Sequence, residues 1–504
     1  MEKIRLQHYR CLEDTGYLTI KPITVLVGAN SSGKSSFLKY FALLKQSLPS
    51  FVQGLFLWNG PLVDFQDFDN TVSSGQQVIE IEFTIDSLPI ISSFRLSNKK
   101  LKNVYIHLSV EKRYEEGHED FLKEMSISYD GNHINLVFQS NRTADVDVNG
   151  IKSSELNDIL TWGLTNSLFP KFLFKRKKTA EREEYSYNAY EKIQETLRKY
   201  TDSDNKINKF WLIGSRLRYS LDKESIEKSL IRQTKNKIDE ESIQKIFNLV
   251  LYSNVNILLD SLNLYMLSFS KKMTYVKPLR AIVERYYRYN NYAVDSIDAD
   301  GANIPMFLNS LSEKAINEFN QNWLLPIFGF TIELKPSGNG HVEMIVAERG
   351  KDGRNLIDVG FGFTQLLPIV TIIWKSIMID CVSSDESEDF CKTHIVAIEQ
   401  PELHLHPRFQ GMFVDMLDRV VHICHNENKD VRIIIETHSE TIVNRIGTRI
   451  ADEDSYLKYT DVNVLLFNGK NEGLDKYIES TSYDSDGFLD NWPFGFFSDY
   501  VDRD

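Results

Sequence analysis

Gly28-Ala29-Asn30-Ser31-Ser32-Gly33-Lys34-Ser35 matches the spacing G-x-x-x-x-G-K-[ST] at every fixed position. Glycines at 28 and 33 let backbone amides close around phosphate oxygens. Lys34 brings a mobile cation to β and γ phosphates, and the Ser35 hydroxyl can ligate Mg²⁺. Asn30, Ser31, Ser32 and Ser36 complete the candidate phosphate lining. The flanks agree with this chemistry. Ile23-Thr24-Val25-Leu26-Val27 is a compact β-branched run of the kind buried in a sheet, and Phe37 to Ser47 reads as a helix. A strand, a glycine-rich turn and a helix in this order predict an α/β fold that binds ATP or GTP with Mg²⁺.

A second constellation lies far along the chain. Ile395-Val396-Ala397-Ile398 ends in Glu399, a strand tip whose carboxylate can meet the Mg²⁺ shell through water. The next position ordinarily carries a glutamate that polarises the attacking water, and here it is Gln400. An amide positions water without accepting its proton, and general-base help is worth about 10²–10⁴-fold. Slow hydrolysis, or a switch held by ATP, is therefore expected. Glu402 is a candidate substitute for the missing base. His404 and His406 alternate beside these carboxylates, but no third ligand follows at helical spacing, so turn or interface contacts are expected of them.

Two further motifs fall in line. Ile433-Ile434-Ile435-Glu436-Thr437-His438-Ser439 is a buried strand ending in a histidine, and His438 is the candidate γ-phosphate sensor. Asp358-Val359-Gly360-Phe361-Gly362-Phe363-Thr364-Gln365 precedes a helix. Glycines at a helix start expose amides at the positive end of its dipole, so Gly360, Gly362 and Gln365 form a second candidate phosphate contact.

Composition bounds the rest. A chain of 504 residues exceeds what one core usually fills, and 42% hydrophobic with 26% charged residues excludes a disordered or collagen-like chain. No apolar run of membrane-spanning length and no signal-peptide region is seen, which predicts a cytoplasmic protein without membrane contact. Cys11, Cys381, Cys391 and Cys424 form no C-x-x-C pair, so neither a disulfide framework nor a zinc site is indicated. A formal net charge of −13 excludes a general basic coat for nucleic acid, though not a local basic groove.

Along the chain, residues 1–150 read as the loop-bearing half of an ATPase head with an antiparallel β lobe. Ile79 to Ile85 alternates with a period of two, and Val104–Leu108 and Ile134–Phe138 are further strands of a meander. Residues 151–325 read as a mainly helical, charged insertion. Its run Lys175–Glu184, flanked by Phe172 and Phe174, is expected to be a solvated face. Residues 326–504 alternate strand and helix: helix 363–378, strand 395–398, helix 408–423, strand 431–436, then strands 462–467 and 474–478. That alternation predicts a parallel sheet shared with the start of the chain.

In this order the motifs resemble the ABC-type ATPase head, in the soluble branch that includes RecF, the SMC proteins and the overcoming-lysogeny nucleases. The resemblance implies that residues 28–35 are the Walker A loop and 395–399 the Walker B strand. Gln400 would stand at the catalytic-glutamate position, 359–365 would be a degenerate signature loop, and His438 the switch histidine. Gln66 is the candidate glutamine-loop residue near the metal, with Gln46 as rival. The wording Glu399-Gln400-Pro401-Glu402-Leu403-His404-Leu405-His406-Pro407, the central Lys277-Pro278-Leu279-Arg280 and the tail Asp490 to Phe497 resemble the PtuA-like ATPases of Septu and retron anti-phage systems. That resemblance implies a homodimer or higher oligomer that sandwiches ATP and controls a separately encoded effector, commonly an HNH-type nuclease. About 65 residues follow His438, fewer than the roughly 100 of a Toprim domain, so no nuclease is expected in this sequence. A DNA-binding repair ATPase and a non-hydrolysing, ATP-bound scaffold are the alternatives.

Overall fold

The computed structural model describes residues 1–49, 54–92, 95–112, 120–139, 141–163, 168–176, 182–183, 186–200, 221–288, 294–338, 340–381, 390–468 and 477–490. The chain opens with β1 (Lys3–Tyr9), β2 (Leu12–Asp14), β3 (Leu18–Thr19), β4 (Ile23–Gly28) and α1 (Lys34–Ser47). A long run of strands follows: β5 (Val78–Ser92), β6 (Arg95–Lys112), β7 (Asp120–Tyr129), β8 (Asn132–Phe138), β9 (Thr143–Val148), β10 (Ile151–Lys152), β11 (Asp158–Gly163), β12 (Lys171–Arg176) and β13 (Arg182–Glu183). Helices α2 (Tyr187–Arg198), α3 (Lys223–Gln233), α4 (Glu240–Ser253) and α5 (Val255–Lys271) lead into β14 (Met273–Val276). Next come β15 (Tyr287–Arg288), α6 (Ile304–Ser310), α7 (Glu313–Phe319), β16 (Phe330–Gly338), β17 (His341–Glu348) and β18 (Arg354–Asn355). The last elements are α8 (Phe361–Lys375), β19 (His394–Glu399), α9 (Pro407–Glu427), β20 (Val431–Glu436), α10 (Glu440–Ala451), β21 (Val462–Phe467) and β22 (Ile478–Thr481).

Strands that are apolar at every position need cover on both faces, and this requirement builds the centre of the molecule. The central sheet runs β14-β19-β20-β4-β21-β22, parallel except for the antiparallel β22. In β4, Leu26 faces one core with Phe37, Leu38 and Phe41 of α1, while Ile23, Val25 and Val27 face the other. That second core is built on α8, α9 and α10, through residues such as Ile369, Leu417 and Ile446. Loop and acidic strand thus share one sheet although they lie hundreds of residues apart.

A second, antiparallel sheet carries β13-β12-β11-β9-β8-β7-β6-β5-β1-β2, with β3 on β1 and β10 on β9. A third, small antiparallel sheet joins β15, β16, β17 and β18. The chain therefore has the expected α/β class, with a mixed, mostly parallel sheet and an antiparallel β layer.

Two features differ from the expected helical stretch at 151–325. Among the described residues of this stretch, helix begins at Tyr187, because β10 to β13 extend the antiparallel sheet past residue 150. Lys171-Phe172-Leu173-Phe174-Lys175 has a strand's period of two, which its charges conceal. Phe172 and Phe174 are core residues, and Phe172 stacks on Phe138 at 5.8 Å. Residues 177–181 and 184 of the charged run lie outside the described residues, as do Leu474 and the aromatic tail 492–497. The other difference is β14, a central-sheet strand supplied by the middle of the chain. By length and composition Gly362–Asp380 is apolar enough to cross a membrane, contrary to expectation, but 72% of that stretch is buried inside the fold.

Candidate nucleotide site

The loop after β4 has the conformation that phosphate binding demands. Gly28 (φ 154°) and Gly33 (φ 104°) occupy backbone space where a side chain has no room. A Cβ at Gly28 would lie 2.4 Å from the carbonyl oxygen of Phe467, and one at Gly33 would lie 2.5 Å from Cδ2 of Leu12. Lys34, 3% exposed, spans the loop and donates to the carbonyls of Gly28 (2.9 Å) and Ala29 (2.7 Å). Burial holds its pKa below the usual lysine value, against the pull of Glu436. The Ser32 hydroxyl is buried with no hydrogen-bond partner among the described residues. An orphaned hydroxyl beside a lysine and a ring of loop amides fits a phosphate group.

Parallel pairing in register sets Glu399 beside Glu436 at the tips of β19 and β20. Glu399 accepts a hydrogen bond from the Tyr275 hydroxyl at 2.8 Å and lies 3.5 Å from Nζ of Lys39. Glu436 accepts from the Ser35 hydroxyl at 2.6 Å, while its buried Oε2 has no hydrogen-bond partner among the described residues. Burial raises both carboxyl pKa values, that of Glu436 to about 7. An unpaired buried carboxylate oxygen next to the loop serine fits a divalent cation with its water shell.

Gln400 follows with φ 43°, a left-handed conformation that a β-carbon penalises. The neighbours hold it there. Its N–H donates to the Glu436 carbonyl at 2.8 Å, and its own carbonyl accepts from the buried Arg280 guanidinium, which also donates to the carbonyls of Glu399 and Pro278. Glu402 accepts from the Thr437 hydroxyl (2.8 Å) and the His438 N–H (2.7 Å), so its carboxylate positions the histidine turn. Burial lowers the His438 pKa, with Lys34 as a second cause. His406 caps α9 by accepting the Arg408 N–H at 3.2 Å.

A cleft of about 470 Å³ collects these groups: Asn30, Ser31, Gly33, Lys34, Ser35, Ser36, Gln400, Glu436 and His438. Of the other sequence candidates, Glu399 is buried and Glu402 half-buried, and neither lines it. Gly360 and Gly362 lie elsewhere, at the start of α8, and Gln365 is buried in that helix. Gln66 is exposed, outside the cleft, with its N–H on Asp64. The rival Gln46 braces a loop, bonding the backbone of Leu57, Leu62 and Val63.

Sequence reasoning missed Arg10, Cys11, Asn70 and Val72, which also line the cleft, and above all Glu436. For Glu436 a signal existed. Ile433-Ile434-Ile435-Glu436 repeats the apolar run ending in a carboxylate that singled out Glu399. For the others there was none, since their approach depends on how β1 folds over the loop.

Comparison with known proteins gives four findings. The AAA ATPase domain family matches residues 1–443. Endonuclease GajA of Bacillus cereus (strain HuB5-5) is 30% identical over 89 residues, which is 17% of this chain and 12% of that protein's length. The SMC head domain of Pyrococcus furiosus, solved with the C-terminal domain of ScpA, aligns over 96% of both chains at 10% identity with a TM-score of 0.35. The SMC head domain from Thermotoga maritima aligns at 9% identity with a TM-score of 0.34 over 96% of this chain and 98% of that one.

Proposed function

The chain belongs to the AAA ATPase domain family, and on that premise we propose that it is an ABC-type ATPase subunit that binds ATP with Mg²⁺ and hydrolyses it slowly. One observation carries the proposal: a single cleft holds the Lys34 loop, Gln400, Glu436 and His438, drawn from three parts of the sequence. Lys34, Ser32 and the loop amides would hold phosphates, Ser35 and one carboxylate at the strand tips the cation, and His438 would meet the terminal phosphate. The cation would draw charge off the phosphates. Gln400 orients water without taking its proton, which is the basis for slow turnover.

ATP binding would join two copies, the cleft of one facing Gly360, Gly362 and Gln365 of the other. That helix start does not line its own chain's cleft, which supports such an arrangement, Gly360 being exposed there. Gln365 is buried and would act by supporting the loop. The role we propose is in anti-phage defence, with a separately encoded HNH-type nuclease as effector. The wording from Glu399 to Pro407 supports it, together with the short match to an endonuclease. A DNA-binding repair ATPase is the second reading, favoured if a basic groove forms in the dimer.

Light scattering with and without ATP tests this function. The wild-type mass is expected to double with ATP·Mg²⁺ and to revert with ADP, while Lys34→Ala stays at the lower mass. A mass indifferent to nucleotide and to Lys34→Ala overturns the ATP-driven pairing.

A further inference from the structure

Of the two neighbouring carboxylates, one is already matched. Glu399 has a hydroxyl donor in Tyr275 and a cation in Lys39, the first from β14 and the second from α1. It does not line the cleft. Glu436 stands one strand nearer the loop and is the carboxylate among the described residues that line the cleft. It is 2% exposed and bonded through Oε1 to the loop serine, and among the described residues its Oε2 has no hydrogen-bond partner, with Lys34 and Lys39 acting on it only through space. A buried oxygen of this kind is costly until a ligand supplies the missing contact. The bond to Ser35 is compatible with cation binding. The hydroxyl spends its proton on Glu436 and keeps its lone pairs for a metal.

We propose that Glu436, rather than Glu399, is the carboxylate that holds the divalent cation at Ser35, directly or through one water, and that Glu399 is a structural carboxylate fixing β14 and α1 to the tip of β19. The assignment rests on the nucleotide-binding function proposed above. It moves the acidic half of the metal site from the end of the Walker B-like strand to the neighbouring strand, two residues before His438.

Fluorescent mant-ATP titrations of the full chain, with excess Mg²⁺ and with EDTA, read the metal's contribution without requiring turnover. Binding of Mn²⁺ to the nucleotide-loaded protein, followed by electron paramagnetic resonance, counts the cation itself. Glu436→Gln should lose about tenfold or more of the Mg²⁺-dependent gain in affinity, as loss of a group supporting a metal does, and should keep its affinity in EDTA. Glu399→Gln should keep the gain and the Mn²⁺ signal. Loss of the gain in Glu399→Gln with retention in Glu436→Gln overturns the assignment, and so does an equal effect in both or in neither. Should Glu436→Gln not give folded protein, Glu399→Gln decides alone: retention of the gain supports the assignment and loss overturns it. If wild-type protein binds no mant-ATP in either arm, the nucleotide function itself fails and the assignment falls with it. That outcome is recognisable because Lys34→Ala then changes nothing.

Discussion

The tips of β19 and β20 are made from one pattern, a buried apolar run closed by a glutamate, yet the fold gives them different surroundings. The β19 tip is braced: Tyr275, Lys39 and Arg280 hold its carboxylate and its carbonyls. At the β20 tip the carboxylate is half-satisfied and faces the cleft. The difference comes from strand order. β20 lies between β19 and β4, so its end meets the loop that β4 launches, while the end of β19 meets β14 on its other side. Local pattern sets the strand and its acidic end, and topology sets what the acid touches.

The largest expected effect is at Gln400. Gln400→Glu restores a proton acceptor on the braced side of the cleft, and phosphate release should rise about 10²-fold. An unchanged rate would mean that the β19 tip lacks something other than a base.

Next is the pH response of the metal-free protein. Burial raises Glu436 from the ordinary 4.5 to about 7, so the folded state holds a proton that the unfolded state has released between those values. Stability from this group is therefore fullest below about pH 4.5 and declines as pH rises through 7. In EDTA, Glu436→Gln should match wild type near pH 4.5. It should be the more stable protein at pH 8, by up to about 3 kcal/mol in urea denaturation. A difference independent of pH would place Glu436 in a better-solvated setting than the cleft provides.

Arg280→Met removes the brace on the other tip. Three carbonyls lose a buried cationic donor, and the left-handed Gln400 loses its support, at a cost of about 2 kcal/mol. Thermal denaturation should show the loss across pH 5 to 8, growing as pH rises. The guanidinium also holds down the pKa values of Glu399 and Glu402, and without it both carboxyls, which burial already penalises, must ionise unaided. The sign separates this tip from its neighbour: the Arg280 variant is the less stable protein at high pH, whereas Glu436→Gln is the more stable one.

Much of this was legible beforehand, and the failures have physical causes. The loop needs particular residues at fixed spacing, so residues 28–35 were identified position by position. Parallel strands buried on both faces are unbroken apolar runs, and 431–436 and 462–467 are where the sequence placed them. Antiparallel strands past 150 were lost because Lys171 and Lys175 alternate with buried phenylalanines and open a charged run that reads as a helix. β14 has four residues after a 17-residue helix, too short to show a period. Tyr275 and Arg280 act through contacts with a strand more than a hundred residues away, which a local pattern does not carry.

Tyr275→Phe is the finest probe of the contrast between the tips. It deletes one oxygen, keeps the ring that packs in the core, and leaves Lys39 as the partner of Glu399. One hydrogen bond to a buried carboxylate that still has a cation nearby is worth about 1 kcal/mol, so a small loss of stability is expected. The Tyr275 bond also works against the burial that raises the Glu399 pKa. Without it Glu399 takes up its proton at higher pH, and the stability gap should widen as pH rises and the carboxylate must ionise. The Mg²⁺-dependent gain in mant-ATP affinity should not move. If it falls as far as in Glu436→Gln, the two carboxylates act as one metal site and the division between the tips disappears.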